Sequence, residues 1–410
     1  MFRLATTVAG IVALASGYSE AHAEVAASNF HLSGFGTLGV AHSSERNADF
    51  VTSGLAPNGA GFTRDWDMNP DSKLGGQVDA QYGDSISATA QLLVHQRYDS
   101  TDRPELMMAF AKWRATGDLS VRAGRLAIPV FLISDYRYVG YSQTTLRPPE
   151  DFYKPFAFSH YDGADITLNE TVASVALKGQ VYAGTMKANG PAGLDAKSGA
   201  IFGANLTADT GDLTLRVSYL LASKTTLTSP QVSAAFQAVR VGLPAGALFP
   251  GSPAVAADPT AANEYEYKDK DLSYTSAAVN YDTGNWFVTS ELSLTSSTAF
   301  VGKVTRGYVT AGLRLGKFTP YATVQQIKTA RVGPSGSPLI DALATSTAQA
   351  GERTGGVGLR WDALKNVDVK VQFDRSSLYR GSHGQLANVQ SGFQPGHHYN
   401  IASAAVDFVF

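Results

Sequence analysis

The chain has 410 residues, with 33 lysines and arginines against 35 aspartates and glutamates, which gives a formal net charge of −2. This balance does not indicate a nucleic-acid-binding protein, which usually carries a basic surface. The absence of cysteine excludes a disulfide framework and a thiolate-based site.

The N-terminal residues 1–23 have the pattern of a secretory signal peptide. Arg3 supplies a positive charge, residues 4–15 form an apolar stretch, and Ala21-His22-Ala23 fits a small-x-small cleavage site. A membrane-anchoring helix is the alternative, but the apolar stretch is shorter than the ~20 residues that span a bilayer. We therefore expect residues 24–410 to form the mature protein as a single domain.

Apolar and polar residues alternate with period 2 in many segments of the mature chain. No segment after residue 23 has the length of an apolar helix that could span a bilayer. The clearest example is 366–376, where three valines and Phe373 alternate with charged and amide side chains. Successive side chains of a strand point to opposite faces, so one face can contact lipid and the other water. We predict sixteen strands, at residues 30–42, 72–82, 85–98, 106–116, 119–127, 160–168, 172–186, 199–208, 212–223, 272–282, 285–297, 305–315, 317–328, 351–363, 366–376 and 399–410.

The predicted connections alternate between short turns and longer loops. The short turns are Gly83-Asp84, Gly117-Asp118, Asn169-Glu170, Thr210-Gly211, Thr283-Gly284, Gly316 and Leu364-Lys365. The others are mostly longer and cover 43–71, 99–105, 128–159, 187–198, 224–271, 298–304, 329–350 and 377–398. Asn, Asp and Gly accept the positive φ of tight hairpins. Even strand numbers, short periplasmic turns and long external loops are typical of bacterial barrels, so we predict an all-β, transmembrane, antiparallel up-and-down β-barrel.

Aromatic residues are placed as expected for a membrane interface. Trp113, Trp286 and Trp361 each lie a few residues from a predicted short turn. The same holds for Tyr82, Tyr281, Phe318 and Tyr321. Aromatic rings favour the interface between lipid and water. The alternative is that these residues are ordinary core aromatics.

A glycine-rich motif near the start of the mature chain matches the dinucleotide-binding fingerprint. Gly34-Phe35-Gly36-Thr37-Leu38-Gly39 has the required spacing, but no helical pattern follows it. We interpret it instead as a first strand whose glycines allow curvature and close packing.

Both ends of the mature chain resemble Gram-negative porins. Residues 33–40 are similar to the opening strand of that family, and the ending Val406-Asp407-Phe408-Val409-Phe410 is similar to its C-terminal insertion signal. The last strand also presents an apolar face through 402, 404, 406, 408 and 410. The resemblance implies a general-porin-like barrel in the bacterial outer membrane, a homotrimer, and contact with outer-membrane lipid and lipopolysaccharide. It also implies a third external loop that folds into the lumen.

Residues 128–159 are the third external loop by order along the chain. Phe131, Leu132, Ile133 and the tyrosines that follow are too apolar for a loop in water, so we expect the loop to pack inside the barrel. Its charged residues would then reach the aqueous path; they are Asp135, Arg137, Arg147, Glu150 and Asp151. The alternative is an external loop that packs against a neighbouring subunit.

Basic side chains outnumber acidic ones on the predicted lumen face. The basic residues are Arg97, Lys112, Arg114, Arg122, Lys178, Arg216, Arg314, Arg360 and Lys370. The acidic residues are Asp79, Asp165, Glu291, Asp368 and Asp374. A basic wall favours the entry of anions.

The resemblance to porins implies an arginine cluster across the pore from acidic residues of the third loop. Candidate members of this constriction are Arg97, Arg122 and Arg125, opposite Asp135, Glu150 and Asp151. Arg125 is out of step with Arg122, so it would need a local bulge to point inward.

Passive diffusion of small hydrophilic solutes, with an anion bias, is the function that this pattern favours. A channel selective for an organic acid, a phosphate-like anion or a sugar is the alternative, with an aromatic track made of Tyr136, Tyr138, Tyr141, Phe152 and Tyr153. A surface or adhesive protein with a plugged lumen is a third hypothesis. We expect no cofactor, metal or catalysis, because no metal-ligand spacing or nucleophile motif is found.

The segment 224–271 is rich in Ala, Pro, Ser and Gly and is predicted to be an exposed external loop. Its final part, 264–271, alternates acidic residues with tyrosine and lysine. Binding of a receptor or an ion is the alternative role of this stretch.

Overall fold

The computed structural model describes residues 29–156, 158–247, 254–300, 302–330, 334–348, 351–379 and 381–410. The predicted signal peptide, residues 1–23, and the predicted start of the mature chain at Glu24 lie outside these residues. None of the helices in the described part of the chain is long and apolar enough to cross a bilayer.

Sixteen antiparallel strands form one closed sheet, which confirms the predicted fold class. They are β1 (Phe30–Ser43), β2 (Lys73–Tyr82), β3 (Ile86–His95), β4 (Glu105–Arg114), β5 (Leu119–Ala127), β6 (His160–Val172), β7 (Val175–Thr185), β8 (Ala200–Asp209), β9 (Leu213–Thr228), β10 (Lys270–Asp282), β11 (Trp286–Ser297), β12 (Lys303–Leu313), β13 (Phe318–Thr329), β14 (Gly351–Leu364), β15 (Val367–Leu378) and β16 (His398–Val409). Each strand pairs with its neighbour in sequence, and β1 closes the barrel by pairing with β16 from Phe35–Val409 to Ser43–Ile401.

Alternation along each strand separates an outward apolar surface from a polar interior. On β15, Val371 and Phe373 are exposed, whereas Asp368, Lys370 and Gln372 are buried. The same pattern holds on β13, where Val324 is exposed and Thr323 and Gln325 are buried. Exposed apolar side chains on the outward face form the surface that a bilayer would cover.

The predicted aromatic belt is present at the end of the barrel that carries the short turns. Trp113, Trp286 and Trp361 are all exposed on the outward surface. Tyr82, Tyr281 and Phe318 are exposed there as well. The prediction for Tyr321 is wrong, because this residue has the opposite parity to Phe318 and its buried hydroxyl donates to Gln372.

Six of the seven predicted short turns lie at or next to hairpin positions in the structure. Gly83, Gly211, Gly284 and Gly316 all adopt positive φ. The predicted turn at Asn169-Glu170 is wrong, because β6 continues to Val172 and the chain turns at Ala173-Ser174, with φ of 47° and 69°. Alanine and serine rarely adopt this left-handed conformation, so residue preference misplaced the turn.

The external loops contain helices and short strand pairs. The helices of the described residues are α1 (Glu150–Tyr153), α2 (Pro230–Val241), α3 (Pro259–Tyr265) and α4 (Pro338–Ala348), besides short 3-10 turns at Ser134–Tyr136, Gly140–Ser142 and Pro191–Gly193. The loop strands are Asp49–Phe50, Ala60–Gly61, Trp66–Asp67, Lys187–Gly190 and Leu194–Lys197.

The segment 224–271 is not simply an exposed loop, as the sequence predicted. β9 extends to Thr228, and α2 and α3 then pack with α4 through a buried cluster that includes Phe236, Phe300 and Ile340. Ser229 and Asp258 cap the two helices by accepting backbone N–H groups. The abundance of Ala and Pro reflects short helices with proline in the first turn rather than an unstructured linker.

The glycines of the 34–39 motif allow β1 to pair closely with β16. A Cβ atom at Gly36 would overlap the ring of Phe408, and one at Gly34 would overlap the ring of Phe410. Both rings therefore lie over the bare backbone of β1. The motif is a seam of the barrel, as expected for a strand that packs closely.

Substitution of Gly36 by valine should weaken this seam. Overpacking of a tight contact costs about 1–3 kcal/mol, so Gly36→Val should lower the unfolding temperature of the barrel in detergent. Gly76→Val is the matched control, because nothing lies within 4 Å of a Cβ atom at this outward position of β2. Heat-modified gel migration of the two variants measures the difference, and equal unfolding temperatures would contradict this interpretation of the motif.

Candidate functional site

The segment that follows β5 contacts lumen-facing side chains of distant strands. Arg216 of β9 and Asn205 of β8 donate hydrogen bonds to the carbonyl of Pro129, at 2.7 and 3.2 Å. Ser276 of β10 donates to the carbonyl of Val130, at 2.8 Å. These bonds attach the start of the third loop to the interior of the wall.

The second half of the loop contacts β13 and β15. The amide of Leu146 donates to the hydroxyl of Tyr321, at 2.9 Å, and the amide of Asp151 donates to the side-chain oxygen of Gln325, at 3.0 Å. Tyr321 and Gln325 are both buried on the lumen side of β13. The loop backbone is thus bonded to the wall opposite β4 and β5.

The turn Gly140–Ser142 is held where the barrel closes. Lys370 donates from Nζ to the carbonyl of Gly140, at 2.8 Å, and pairs with Asp407, at 2.9 Å. Arg360 donates to the carbonyls of Tyr141 and Gln143, both at 2.8 Å. A Cβ atom at Gly140 would overlap the Asp407 carboxylate, so only glycine fits this contact.

An aromatic cluster fixes the loop against β10 and β12. Phe131 packs edge-on against Phe152 and Tyr274 at centroid distances of 5.8 Å, and Tyr153 lies 4.9 Å from Phe131. The Tyr153 hydroxyl donates to Glu291. Such ring pairs stabilise packing beyond the area they bury. The apolar residues of this loop are therefore buried inside the protein.

This packing changes the predicted aromatic track. Phe152 and Tyr153 are 0% and 3% exposed and belong to the cluster, and Tyr141 lies against the Arg360 guanidinium at 5.1 Å. Tyr136 is 42% exposed, whereas Tyr138 and Tyr141 are half-buried, so Tyr136 is the most open of the five.

Arg147 is the centre of a buried ion network and does not reach open water, contrary to the prediction. Its guanidinium contacts Asp71 at 2.6 Å, Glu150 at 3.4 Å and Asp374 at 3.6 Å. Its side chain is 4% exposed. A buried cation needs such partners, because desolvation alone would be too costly.

The two acids of α1 also turn away from the predicted constriction. Asp151 is 2% exposed, and burial together with neighbouring Glu352 raises its pKa well above the usual range. Burial raises the pKa of Glu150 to about 8, outweighing the attraction of Arg147 and Lys154. The same burial lowers the pKa of the Lys154 ammonium. The prediction that Asp151 faces the arginine cluster is therefore wrong.

Arg122 and Arg125 lie on opposite sides of β5. Arg122 faces the lumen and binds Asp165 through two nitrogens, at 2.7 and 3.1 Å. Arg125 pairs in register with Ala109 and Asp162 on the outward side and binds Asp162 at 2.7 Å. The predicted inward bulge is absent. Arg122 and buried Leu126 are four residues apart and lie on the same face, so the alternation is unbroken and Arg125 stays on the opposite face. Arg125 therefore lies on the outward side, near the extracellular end of β5.

Two cavities of about 450 Å³ lie on either side of the third loop. The external cavity has the basic lining residues Lys73, Arg97, Arg125 (from the rim), Arg137, Arg147, Lys154 and Lys187, and the acidic lining residues Asp71, Glu105 and Glu150. The periplasmic cavity is lined by Lys178, Arg216 and Arg314, with Asp282 as its acidic residue. Asp282 is bound to Arg314 at 2.6 Å, which leaves Lys178 and Arg216 in excess.

The remaining predicted lumen residues fall into two groups. Lys112 and Arg114 lie towards the periplasmic end, where their charges interact with each other and with Lys178. Arg360 and Lys370 face inward but are covered by the third loop, and both pair with Asp368, at 3.1 and 3.5 Å. Of the predicted acidic cluster, Asp135 is exposed and interacts with Arg122 and Arg216.

Several interior charges were not identified from the sequence. Lys73 and Arg306 face inward, and the alternation that identified Asp79 and Arg314 would have found both. Asp71 was missed because it precedes its strand, and Asp407 was recognised only as part of the C-terminal motif 406–410. Their partners, Arg147 and Lys370, are remote in sequence, so no local pattern connects them.

Removal of the Arg147 charge should release the third loop. Breaking one partner of a buried ion pair costs about 3–5 kcal/mol, so Arg147→Gln should lower the opening free energy of the Leu146 amide by that amount. Arg314→Gln is the control, since its ion pair with Asp282 is about one-third exposed and contributes at most ~1 kcal/mol. Hydrogen exchange measures the protection of the Leu146 amide in both variants. Equal protection in the two would contradict the role of Arg147.

The Glu150 carboxyl should make the loop pH-dependent. Its pKa is raised from an ordinary value of 4.5 to about 8, so the folded loop binds this proton more tightly than the open loop. Loop stability should therefore be greatest below pH ~4.5 and fall as pH rises towards ~8. Protection of the Asp151 amide, corrected for intrinsic exchange, measures this. Glu150→Gln should reduce the slope without abolishing it, because buried Asp151 also has a raised pKa, and an unchanged slope in that variant would exclude Glu150 as a source.

Comparison with known proteins supports the fold and does not assign a family. No protein-family model matches this sequence, and a search of curated proteins found no match. Among solved structures, OmpF of Salmonella typhi in complex with daunomycin is 12% identical, with 93% of this chain and 98% of that chain covered and a TM-score of 0.54.

Two further solved structures are similar to the same extent. The anion-selective porin from Comamonas acidovorans is 12% identical, with 93% and 99% coverage and a TM-score of 0.54. The outer membrane channel DcaP of Acinetobacter baumannii is 10% identical, with 93% and 98% coverage and a TM-score of 0.54. The chain thus has the general-porin-like fold, the architecture of sixteen-stranded barrels of the bacterial outer membrane.

Proposed function

We propose that this protein is a porin that lets small hydrophilic solutes diffuse across the outer membrane, with a preference for anions. The observation that supports this most is the basic excess in the two cavities beside the third loop. Fixed cations near a narrow aqueous path concentrate anions and exclude cations. The comparisons point in the same direction, since one similar structure is an anion-selective porin.

The constriction in this proposal lies between the third loop and the wall of β3–β7. The loop is bonded to side chains of β8–β16, including Arg216, and the wall across from it carries Arg122, with Arg97 just beyond the external end of β3. Asp135 is the exposed loop acid nearest this side, through its interaction with Arg122 and Arg216. A transverse field would then run from the arginines to Asp135, with Glu150 and Asp151 outside it.

A channel with a preferred anionic solute is the second candidate. Arg137 lies 5.0 Å from the ring of Tyr138 and donates to its hydroxyl at 2.9 Å, beside exposed Tyr136. A guanidinium held on an aromatic ring presents its edge to a carboxylate or a phosphate. Saturable uptake of one organic acid by liposomes would support this candidate, and dependence on solute size alone would oppose it.

The proposal extends to export, processing and assembly of the protein. Residues 1–23 would be removed as a signal peptide after export, and residues 24–410 would form the barrel domain. The protein would assemble as a homotrimer. The proposal assigns neither a cofactor nor a catalytic reaction to this chain.

Single-channel recording in planar bilayers tests the proposal. The protein should form open channels whose reversal potential in a salt gradient indicates anion preference. Replacing Arg97, Lys178 and Arg216 by glutamine together should reduce the anion-to-cation permeability ratio several-fold, since all three line the cavities and none forms an ion pair among the described residues. Lys268→Gln, an exposed charge in the external insertion, should leave the ratio unchanged.

Two results would contradict this proposal. A protein that inserts but never conducts would exclude a channel. A ratio that is unaffected by the triple substitution, or equally affected by Lys268→Gln, would exclude selectivity by the basic wall.

A further inference from the structure

Arg306 is a buried cation without a counter-charge. It lies on the inward face of β12 between Val304 and Tyr308, and it is 4% exposed. Its Nε and Nη1 atoms are buried and have no hydrogen-bond partner, and no ion pair among the described residues involves it. Burial of a lone positive charge is costly, so such a charge is normally paired.

The acid nearest in register is already bound to other groups. Glu291 lies two residues from Ser293, the residue of β11 that pairs with Arg306. Its carboxylate accepts hydrogen bonds from the hydroxyl of Tyr308, at 2.8 Å, and from the amide of Leu132, at 2.9 Å. Glu291 therefore holds the third loop and does not compensate the guanidinium.

A row of small hydroxyl side chains leads to Arg306 along the inside of the wall. Ser218 of β9 pairs with Ser276 of β10, which pairs with Ser293 of β11. Ser293 pairs in turn with Arg306. All four residues are buried on the lumen side. We call the three serines the serine row. Serine side chains are short, so the row leaves space beside the long Arg306 side chain.

Several buried hydroxyl groups around this space have no hydrogen-bond partner. They belong to Ser218, Tyr274, Ser293 and Thr295. The Tyr274 hydroxyl lies close enough to Ser276, Ser293 and Arg306 to interact with them, although it makes no full hydrogen bond. The free donors therefore converge on one place. Buried polar groups without a partner are rare in proteins, so this cluster calls for an acceptor.

The charges of the lining determine what kind of acceptor fits. The guanidinium and the hydroxyls can all donate, and one cation balances one negative charge. A divalent anion would be repelled by the Glu291 carboxylate, two residues along β11 from Ser293. Water would bond to the hydroxyls but would leave the charge of Arg306 uncompensated. A small anion of single charge matches the site.

The site is separate from the two cavities beside the third loop. Arg306, Ser293 and Tyr274 line neither of them. The Tyr274 ring packs against Phe131 and Phe156 of the third loop, at centroid distances of 5.8 and 5.3 Å. The site therefore lies behind the loop, where the loop contacts the wall.

We propose that Arg306, Tyr274 and the serine row bind a chloride ion in a closed site between the wall and the third loop. The ion accepts hydrogen bonds from the guanidinium and the hydroxyls and compensates the buried charge. Because Tyr274 also packs against the third loop, bound chloride stabilises the contact between loop and wall. This site is structural and does not depend on the proposed diffusion of solutes.

Thermal unfolding of the full-length barrel in detergent tests the proposal, with sodium chloride and sodium gluconate compared at equal ionic strength. Gluconate is too large for a site enclosed by buried side chains. Chloride should raise the unfolding temperature of the wild type above that in gluconate by at least about 2 °C, and the rise should grow with chloride concentration.

Arg306→Gln should abolish the difference between the two salts. In gluconate this variant should be at least as stable as the wild type, because it removes an uncompensated buried charge. Lys178→Gln, which removes a cation from the periplasmic cavity, is the matched control and should keep the chloride effect. Equal unfolding temperatures of the wild type in the two salts, a chloride effect that persists in Arg306→Gln, or its loss in Lys178→Gln would overturn the inference.

Bromide diffraction tests the site in the wild type alone, so it applies even where Arg306→Gln does not fold. Crystals of the full-length protein in sodium bromide should show an anomalous peak within hydrogen-bond distance of Arg306 and of the Tyr274 or Ser293 hydroxyl. Absence of a peak there, or peaks confined to the two cavities, would overturn the site. Neither experiment measures conductance, so failure of the channel proposal is distinguishable from failure of the chloride site.

Discussion

The whole structure depends on closure of the sheet by hydrogen bonds between β1 and β16. A strand that crosses lipid cannot leave its N–H and C=O groups unpaired, so the first and last strands must meet. Nine consecutive register pairs, from Phe35–Val409 to Ser43–Ile401, complete the ring. Gly34 and Gly36 leave space for the rings of Phe410 and Phe408 at this seam. Closure then assigns every side chain either to the lipid side or to the interior.

The interior is asymmetric because contacts with the third loop and with buried acids compensate the charges of one wall. Lys370, Arg360 and Arg147 are bound to loop carbonyls or to buried acids, so their charges are compensated. Arg97 and Lys178 line the cavities without a bond to the loop among the described contacts, and Arg216 lines the periplasmic cavity while it also donates to the loop carbonyl of Pro129. The same residue types therefore have two roles: some hold the loop in place, and others leave positive charge along the cavities.

Local patterns predicted the barrel well and the site only in part. Alternation and turn residues located all sixteen strands, because each of these signals acts within a few residues of the chain. They misplaced Arg125, since the face of a residue depends on the exact register and no bulge was present. They also missed the partnership of Arg147 with Asp71, and of Lys370 with Asp407 and Gly140, because folding of the loop brings these groups together from distant positions. The turn at Ala173-Ser174 shows that tertiary pairing can impose a conformation that residue preference disfavours.

Cysteine accessibility in intact outer membranes tests the central claim most directly, because the natural chain has no cysteine. Thr207→Cys places a thiol in the periplasmic cavity, and Leu206→Cys places one on the exposed apolar surface of the same strand. A membrane-impermeant, charged thiol reagent should modify position 207 and leave position 206 unmodified. Equal modification of both positions, or modification of 206 alone, would contradict a closed barrel with lipid outside and water inside.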